Sequence, residues 1–430
     1  MTAEIAILNP HGIALAADSA VTVSFGGNRK IYNSANKLFT LSKYAPVGVM
    51  IYGNAEFRGI PWEILIKKYR HELRAKKYQH LKQYSEDFCK FIDANNALFS
   101  DGEPVFYRRL RATYIGIRDC IAAGVKDYLE KNKTIDEAET IKIAQKCVGL
   151  KAKEIFERNP LPGSKPKRFT EDFQKVAPKV ADIVTQVFEK QPLSQASKDE
   201  LIEIAKVAFW FRAGGSGLII AGYGEKELFP SCVQIKADNF LTNSLESGEE
   251  TLLNHGKGAA IIPLAQRDVV DTFLAGIAPD LRSALDTYMH GVFDELPSHI
   301  AKGLPDGVQE KDKSEFIEKV KVGLTAVLKT FKNRLGEHIQ GQSQPVMTVV
   351  GSLPKDELAA MAEALVNLTS FRRRVSTDAE TVGGPVDVAV ISKWDGFVWI
   401  KRKHYFRPEL NPNFLANYFN CREDKNETEE

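Results

Sequence analysis

Cysteine is scarce in this chain. The five present (Cys89, Cys120, Cys147, Cys232, Cys421) are odd in number and far apart. That spacing excludes a disulfide framework or a paired-cysteine zinc site, and free thiols are expected. Histidine is scarce as well, and His71-Glu72 has no second histidine at the spacing of an H-E-x-x-H zinc helix. No metal or organic cofactor is therefore expected. No apolar run approaches the roughly 18 residues of a membrane span, and no secretory segment precedes Thr2. Both point to a cytoplasmic protein with no membrane partner. Neither sign of charge prevails, with 58 Lys and Arg against 56 Asp and Glu. Basic-aromatic clusters do occur, at Lys67-Lys68-Tyr69-Arg70, Lys76-Lys77-Tyr78 and Lys401-Arg402-Lys403-His404. On a balanced chain the first two read as the solvated face of an amphipathic helix, and nucleic acid is not an expected partner. The run Gly214-Gly215-Ser216-Gly217 lacks the Lys-Ser/Thr of a phosphate loop and enters a strand pattern. Ser216 is not in a G-x-S-x-G elbow, so it reads as a loop serine.

What is present begins directly behind the initiator methionine. Removal of Met1 before a residue as small as Thr2 leaves a free α-amine beside a hydroxyl, so one residue holds both nucleophile and base. The amine's ordinary pKa of about 7.7–8 lets a useful fraction accept a proton near neutral pH. Ala3-Glu4-Ile5-Ala6-Ile7-Leu8 is an apolar strand signal, Asn9-Pro10-His11-Gly12 a turn, and Ile13-Ala14-Leu15-Ala16-Ala17 a second strand. A hairpin of this length carries Asp18 back beside Thr2. After Gly26-Gly27-Asn28, Asn36–Leu41 reads as a third strand that starts with Lys37, and Val47–Tyr52 as a fourth that runs into Gly53.

Residues 58–212 turn to helical spacing, as in Trp62-Glu63-Ile64-Leu65-Ile66, and read as five helices. Their breaks fall near 131–134, 159–167 (Pro160, Pro162, Gly163, Pro166) and 191–197. Strand signals return at Leu218–Tyr223 and Cys232–Ile235. Residues 262 to about 340 read as helical, with breaks at Pro279, Leu296–Ser298 and Gly303–Gly307. Another helix starts after Gly351-Ser352-Leu353-Pro354, where Asp356 and Glu357 suit a first turn. Val386–Ile391 and Gly396–Ile400 are the last strands, and 411–430 reads as a frayed acidic tail.

Thr2, Ala16-Ala17-Asp18-Ser19, Lys37-Leu38-Phe39, Gly53-Asn54-Ala55 and Leu218-Ile219-Ile220-Ala221-Gly222-Tyr223 resemble the proteasome β-subunits and their simpler bacterial peptidase relatives. These belong to the N-terminal-nucleophile (Ntn) hydrolases. Lys37 stands slightly later than in that family, and the extra length falls in a glycine-containing loop where it costs little. Lys30 competes for the same role but lacks the strand pattern after it. The resemblance identifies Asp378 and Thr381 with the family's D-x-x-S loop, which positions the amine, although Thr replaces Ser and Val382 precedes the glycine pair. It also places Asn254-His255-Gly256-Lys257-Gly258 at a Gly-Ser-Gly turn in which Lys257 has replaced the serine. The implied fold is α+β, a four-layer αββα sandwich with two large helical insertions. Its core takes in 2–57, 214–240 and 376–401, and 58–212 and 262–375 form helical layers with insertions. The implied activity is a threonine peptidase or amidase acting through Thr2, Asp18, Lys37, Gly53, Asp378 and Thr381, in which Lys37 keeps the Thr2 amine free as a base, Asp18 holds the Lys37 ammonium and the Gly53 N–H meets the developing oxyanion. Its expected partners are peptide or unfolded-protein substrates, further copies of the chain in a homo-oligomer, and an unfoldase. A catalytically silent scaffold subunit and a small-molecule amidohydrolase stand as alternatives.

Overall fold

Asn9 closes the first hairpin and ties it to the helices behind it. β1 (Ala3–Asn9) and β2 (Gly12–Ala17) pair antiparallel, with Glu4 opposite Ala17 and Asn9 opposite Gly12. The buried Asn9 amide donates to Val350 O at 2.9 Å and Leu353 O at 2.8 Å. Its Oδ1 accepts from His11 N at 2.9 Å and Gly12 N at 3.2 Å. Every polar valence of this buried side chain is thus used, as burial requires. The computed structural model describes residues 2–25, 28–57, 60–95, 105–158, 167–210, 216–237, 245–253, 258–303, 309–376, 382–413 and 416.

Among these residues the remaining strands are β3 (Val21–Phe25), β4 (Asn28–Tyr32), β5 (Leu38–Thr40), β6 (Val47–Tyr52), β7 (Glu56–Phe57) and β8 (Ile60–Pro61) in the N-terminal part. Later come β9 (Ser216–Gly222), β10 (Ser231–Ala237), β11 (Leu245–Leu252), β12 (Ala260–Ala265), β13 (Asp387–Ser392) and β14 (Gly396–Lys401). Two five-stranded sheets result, in the orders β12-β1-β2-β13-β14 and β11-β10-β9-β6-β5, and β3 with β4 and β7 with β8 form separate ribbons. All the pairings are antiparallel.

The period-2 alternation of each strand decides what it covers. Ala6 and Leu8 of β1 share one buried cluster with Leu38, Met50 and Ile219 of the second sheet. Ala3, Ile5 and Ile7 point the other way, into a cluster with Val270, Val350 and Leu358. The second sheet behaves likewise. Met50 faces the first sheet, while Val47, Val49 and Ile51 pack with Trp62, Leu65, Tyr84 and Phe88. The last four belong to α1 (Trp62–Leu73) and α2 (Leu81–Ala94). The molecule is thus a mixed α+β structure with helices on the outer face of each sheet.

Residues 60–210 hold six helices among the described residues, not five. After α1 and α2 come α3 (Val105–Asn132), α4 (Glu137–Arg158), α5 (Lys167–Val187) and α6 (Gln195–Trp210). These four close on a core of their own, with Phe106, Tyr114, Val148, Ile183, Leu201 and Phe209 among its buried members. The C-terminal helices are α7 (Asp268–Ala275), α8 (Pro279–Lys302), α9 (Glu310–Val350) and α10 (Lys355–Arg374). No helix among the described residues is long and apolar enough to cross a membrane.

Four expectations need correction. Residues 262–265 are not the start of a helix, because they belong to β12, which pairs with β1 from Ala260 opposite Leu8 to Ala265 opposite Ala3. The middle sheet segment does not end near 240: β11 extends it to Leu252. The expected break at Leu296–Ser298 is absent, and Pro297 sits buried within α8. Packing of α8 against α9 outweighs the roughly 3 kcal/mol that an interior proline costs a helix. Lys76-Lys77-Tyr78 lies in the connection between α1 and α2, not on a helix. Its lysines reach Asp87 at 3.4 Å and Glu225 at 3.7 Å, so they serve the fold's own acidic groups.

Candidate active site

Four strands deliver the site. Thr2 directly precedes β1, and Glu4 lies on it. Asp18 follows β2, Lys37 precedes β5 and Gly53 follows β6. The Asp18 N–H continues the β1–β2 ladder by donating to Ala3 O at 3.1 Å, and Lys37 O accepts from Ile51 N at 2.9 Å. Backbone bonding thus fixes both residues before their side chains meet.

Asp18 is fully buried and accepts four hydrogen bonds. Its Oδ1 receives Ala3 N at 3.0 Å and the Lys37 ammonium, and Oδ2 receives Ala20 N at 3.2 Å and Gly383 N at 3.0 Å. Gly383 stands ahead of β13, and Gly384 beside it adopts φ +77°, a left-handed conformation that disfavours side-chain-bearing residues. A Cβ on Gly384 would stand 2.8 Å from Asn33 Cβ. Gly384 therefore lets the 382–386 segment lie close over Asp18.

Thr2 is buried, and its hydroxyl has two partners. Its Oγ1 donates to Glu4 Oε2 at 3.0 Å and accepts from the Gly53 N–H at 3.3 Å. The Lys37 ammonium lies 3.1 Å from Glu4 Oε1 while bonded to Asp18. One buried cation thus serves two buried carboxylates. Burial raises the Glu4 carboxyl from its ordinary 4.5 to about 7. Lys37 opposes that rise, Asp18 adds to it, and the Thr2 hydrogen bond lowers it. Tyr52, on the inward face of β6, is also raised, first by burial, and is held by Gln234.

No protein-family model matches this chain, and no curated protein matches it. Among solved structures, the Anbu (Gly-1) mutant from Hyphomicrobium sp. strain MC1 matches along 100% of both chains, at 10% identity and a TM-score of 0.25. A likeness that slight carries no argument about fold or function.

Of the expected site residues, Thr2, Asp18, Lys37 and Gly53 come together. Asp378 and Thr381 lie outside the described residues, as does Lys257. Lys30, the competing lysine, is exposed on β4 and lies over the Tyr32 ring, 5.2 Å from its centre. Ser216 opens β9 opposite Ala237. Glu4 is the member that motif reading missed. Its signal was a lone charged residue in an apolar strand, two positions from Thr2 and hence on the same face.

Proposed function

We propose that this protein is a threonine-type peptide or amide hydrolase of the Ntn class, with Thr2 as nucleophile and the two sheets and their outer helices forming a four-layer αββα sandwich. The observation that carries this reading is the Thr2 hydroxyl set between a backbone N–H donor at Gly53 and a buried carboxylate, with the Lys37–Asp18 pair behind it. Attack by Oγ1 on an amide carbonyl gives a tetrahedral oxyanion beside the Gly53 N–H. Loss of the amine leaves an ester on Thr2, which water hydrolyses. Lys37 supplies fixed positive charge near the negative charge that develops, and Asp18, held by four donors, fixes Lys37 in place. Removal of Met1 sets a free α-amine on the same residue.

The test is turnover of a panel of peptide amides. Thr2→Ala should lower hydrolysis by about a thousandfold or more, because it deletes the attacking atom. Undiminished turnover in that variant would place the site elsewhere. The intact mass of the purified chain should correspond to a protein beginning at Thr2.

A further inference from the structure

We propose that Glu4 is a second catalytic residue of this site: its carboxylate, rather than the α-amine, takes the proton from the Thr2 hydroxyl as Oγ1 attacks. The proposal rests on Thr2 being the nucleophile.

A base must lie within hydrogen-bond reach of the proton it removes, and Glu4 Oε2 is 3.0 Å from Oγ1, with the hydroxyl donating to it. Thr2 immediately precedes β1 and Glu4 lies two residues on, at the same phase of the strand period, so the contact is set by the start of β1 and needs no movement of a loop. Ala6 and Leu8 fill the next two positions on that face with apolar groups. A carboxylate here is 2% exposed, and a buried ion costs several kcal/mol unless it is paired. Packing alone does not call for one.

Charge bookkeeping points the same way. With Glu4 and Asp18 ionised, Lys37 protonated and the Thr2 α-amine neutral, the cluster carries one excess negative charge. Proton transfer makes Glu4 neutral and leaves Lys37 paired with Asp18. The excess charge moves to the oxyanion beside the Gly53 N–H, and the cluster's total is unchanged. Asp18 after β2, Lys37 before β5, Tyr52 on β6 and the Thr2 hydroxyl face Glu4, and removal of Met1 adds the titratable α-amine of Thr2 beside that hydroxyl. Burial places the Glu4 carboxyl at about 7, where it exists in both states near neutral pH. That suits a group that must accept a proton and then release it.

In the step, the Oγ1–H bond breaks and the proton passes to Oε2. Oγ1 bonds to the carbonyl carbon, and the C=O pair moves onto oxygen. Collapse breaks the C–N bond, and the amine departs with the proton from Glu4. In the second half, water gives its proton to Glu4 as its oxygen attacks the ester, and Thr2 Oγ1 leaves with that proton.

The probe is a peptide β-lactone, which acylates Oγ1 by opening its ring and returns the Glu4 proton to the new hydroxyl. Acylation of Thr2 is followed by mass on full-length protein whose Met1 is shown by mass to be absent. Wild type should be labelled at Thr2, and Thr2→Ala should not. Glu4→Gln keeps size and hydrogen bonding but accepts no proton. It should slow acylation by roughly 10²–10⁴-fold, the range of one general base, and abolish the acid limb of the rate–pH profile near pH 7. Glu4→Asp should keep an acid limb, and thermal melts should show both variants folded. Labelling of folded Glu4→Gln at the wild-type rate with the acid limb intact would overturn the role of Glu4 and leave Thr2 as nucleophile. A wild type that is not labelled at Thr2 would overturn both readings.

Discussion

Glu4 also makes folding stability depend on pH in a direction opposite to that of most carboxylates. Its carboxyl is raised from 4.5 in the unfolded chain to about 7 in the fold. Between those values the native state holds the extra proton, so stability is full below about pH 4.5 and falls as pH rises through 7. At roughly 1.4 kcal/mol per pH unit the loss is on the order of 3 kcal/mol. Glu4→Gln removes the titration. It should match wild type near pH 5 and be more stable by up to about 3 kcal/mol at pH 8. Denaturant melts across that range measure the difference, and a constant offset at every pH would refute the assignment. Lys37 is the converse case. Lys37→Ala strands two buried carboxylates without their cation and should cost about 3–5 kcal/mol as well as activity. A change in denaturation midpoint worth less than 1 kcal/mol would show that the pair is not buried as described.

Among elements, the β13 approach is the most exposed to single changes. Gly384→Ala demands a left-handed conformation of alanine and drives a methyl against Asn33 Cβ at 2.8 Å. The expected cost is about 1–3 kcal/mol, together with a slower site, because Gly383 N is displaced from Asp18. Retention of wild-type midpoint and turnover would show that the segment relaxes freely. The strand hairpins were legible because alternation and turn residues act locally. β12 was not: Ala260-Ile261-Ile262-Pro263-Leu264-Ala265 is a short apolar run with a proline, and such a run gives no period. Its position as an edge strand, where a missing N–H is tolerated, emerges only when β1 lies beside it.

At the scale of the whole molecule, the long helices stand out. α8 and α9 pack on each other yet leave Leu281, Tyr288, Val322 and Val327 exposed. The edge strand β14 exposes Val398 and Ile400, beside Trp394 and Tyr405. Apolar surface of this kind on a chain of balanced charge favours self-association. The proposed homo-oligomer should scatter light with a mass that is a multiple of 48.0 kDa at micromolar concentration. A mass of one chain, with full activity, would remove the need for assembly. Lys401 pairs with Glu363 at 2.5 Å, Lys403 bonds Asp387, and Arg402 lies 4.8 Å from the Trp399 ring centre.

The sequence by itself determined the mixed α+β character and the return of Asp18 to Thr2, whereas Lys37 and Gly53 reach them only when the second sheet packs on the first. Strand period and hairpin closure are short-range, so a residue count suffices to bring Asp18 back to Thr2. Tertiary structure alone decided the rest. The separate core of α3 to α6, the unbroken course of α8 through Pro297 and the place of β12 all depend on which apolar faces find each other. Glu4 is the sharpest example. One charged residue in an apolar strand is ambiguous until the second sheet closes over it. Only then does burial, with Lys37 3.1 Å and Thr2 Oγ1 3.0 Å away, turn it into a carboxylate that titrates near neutral pH.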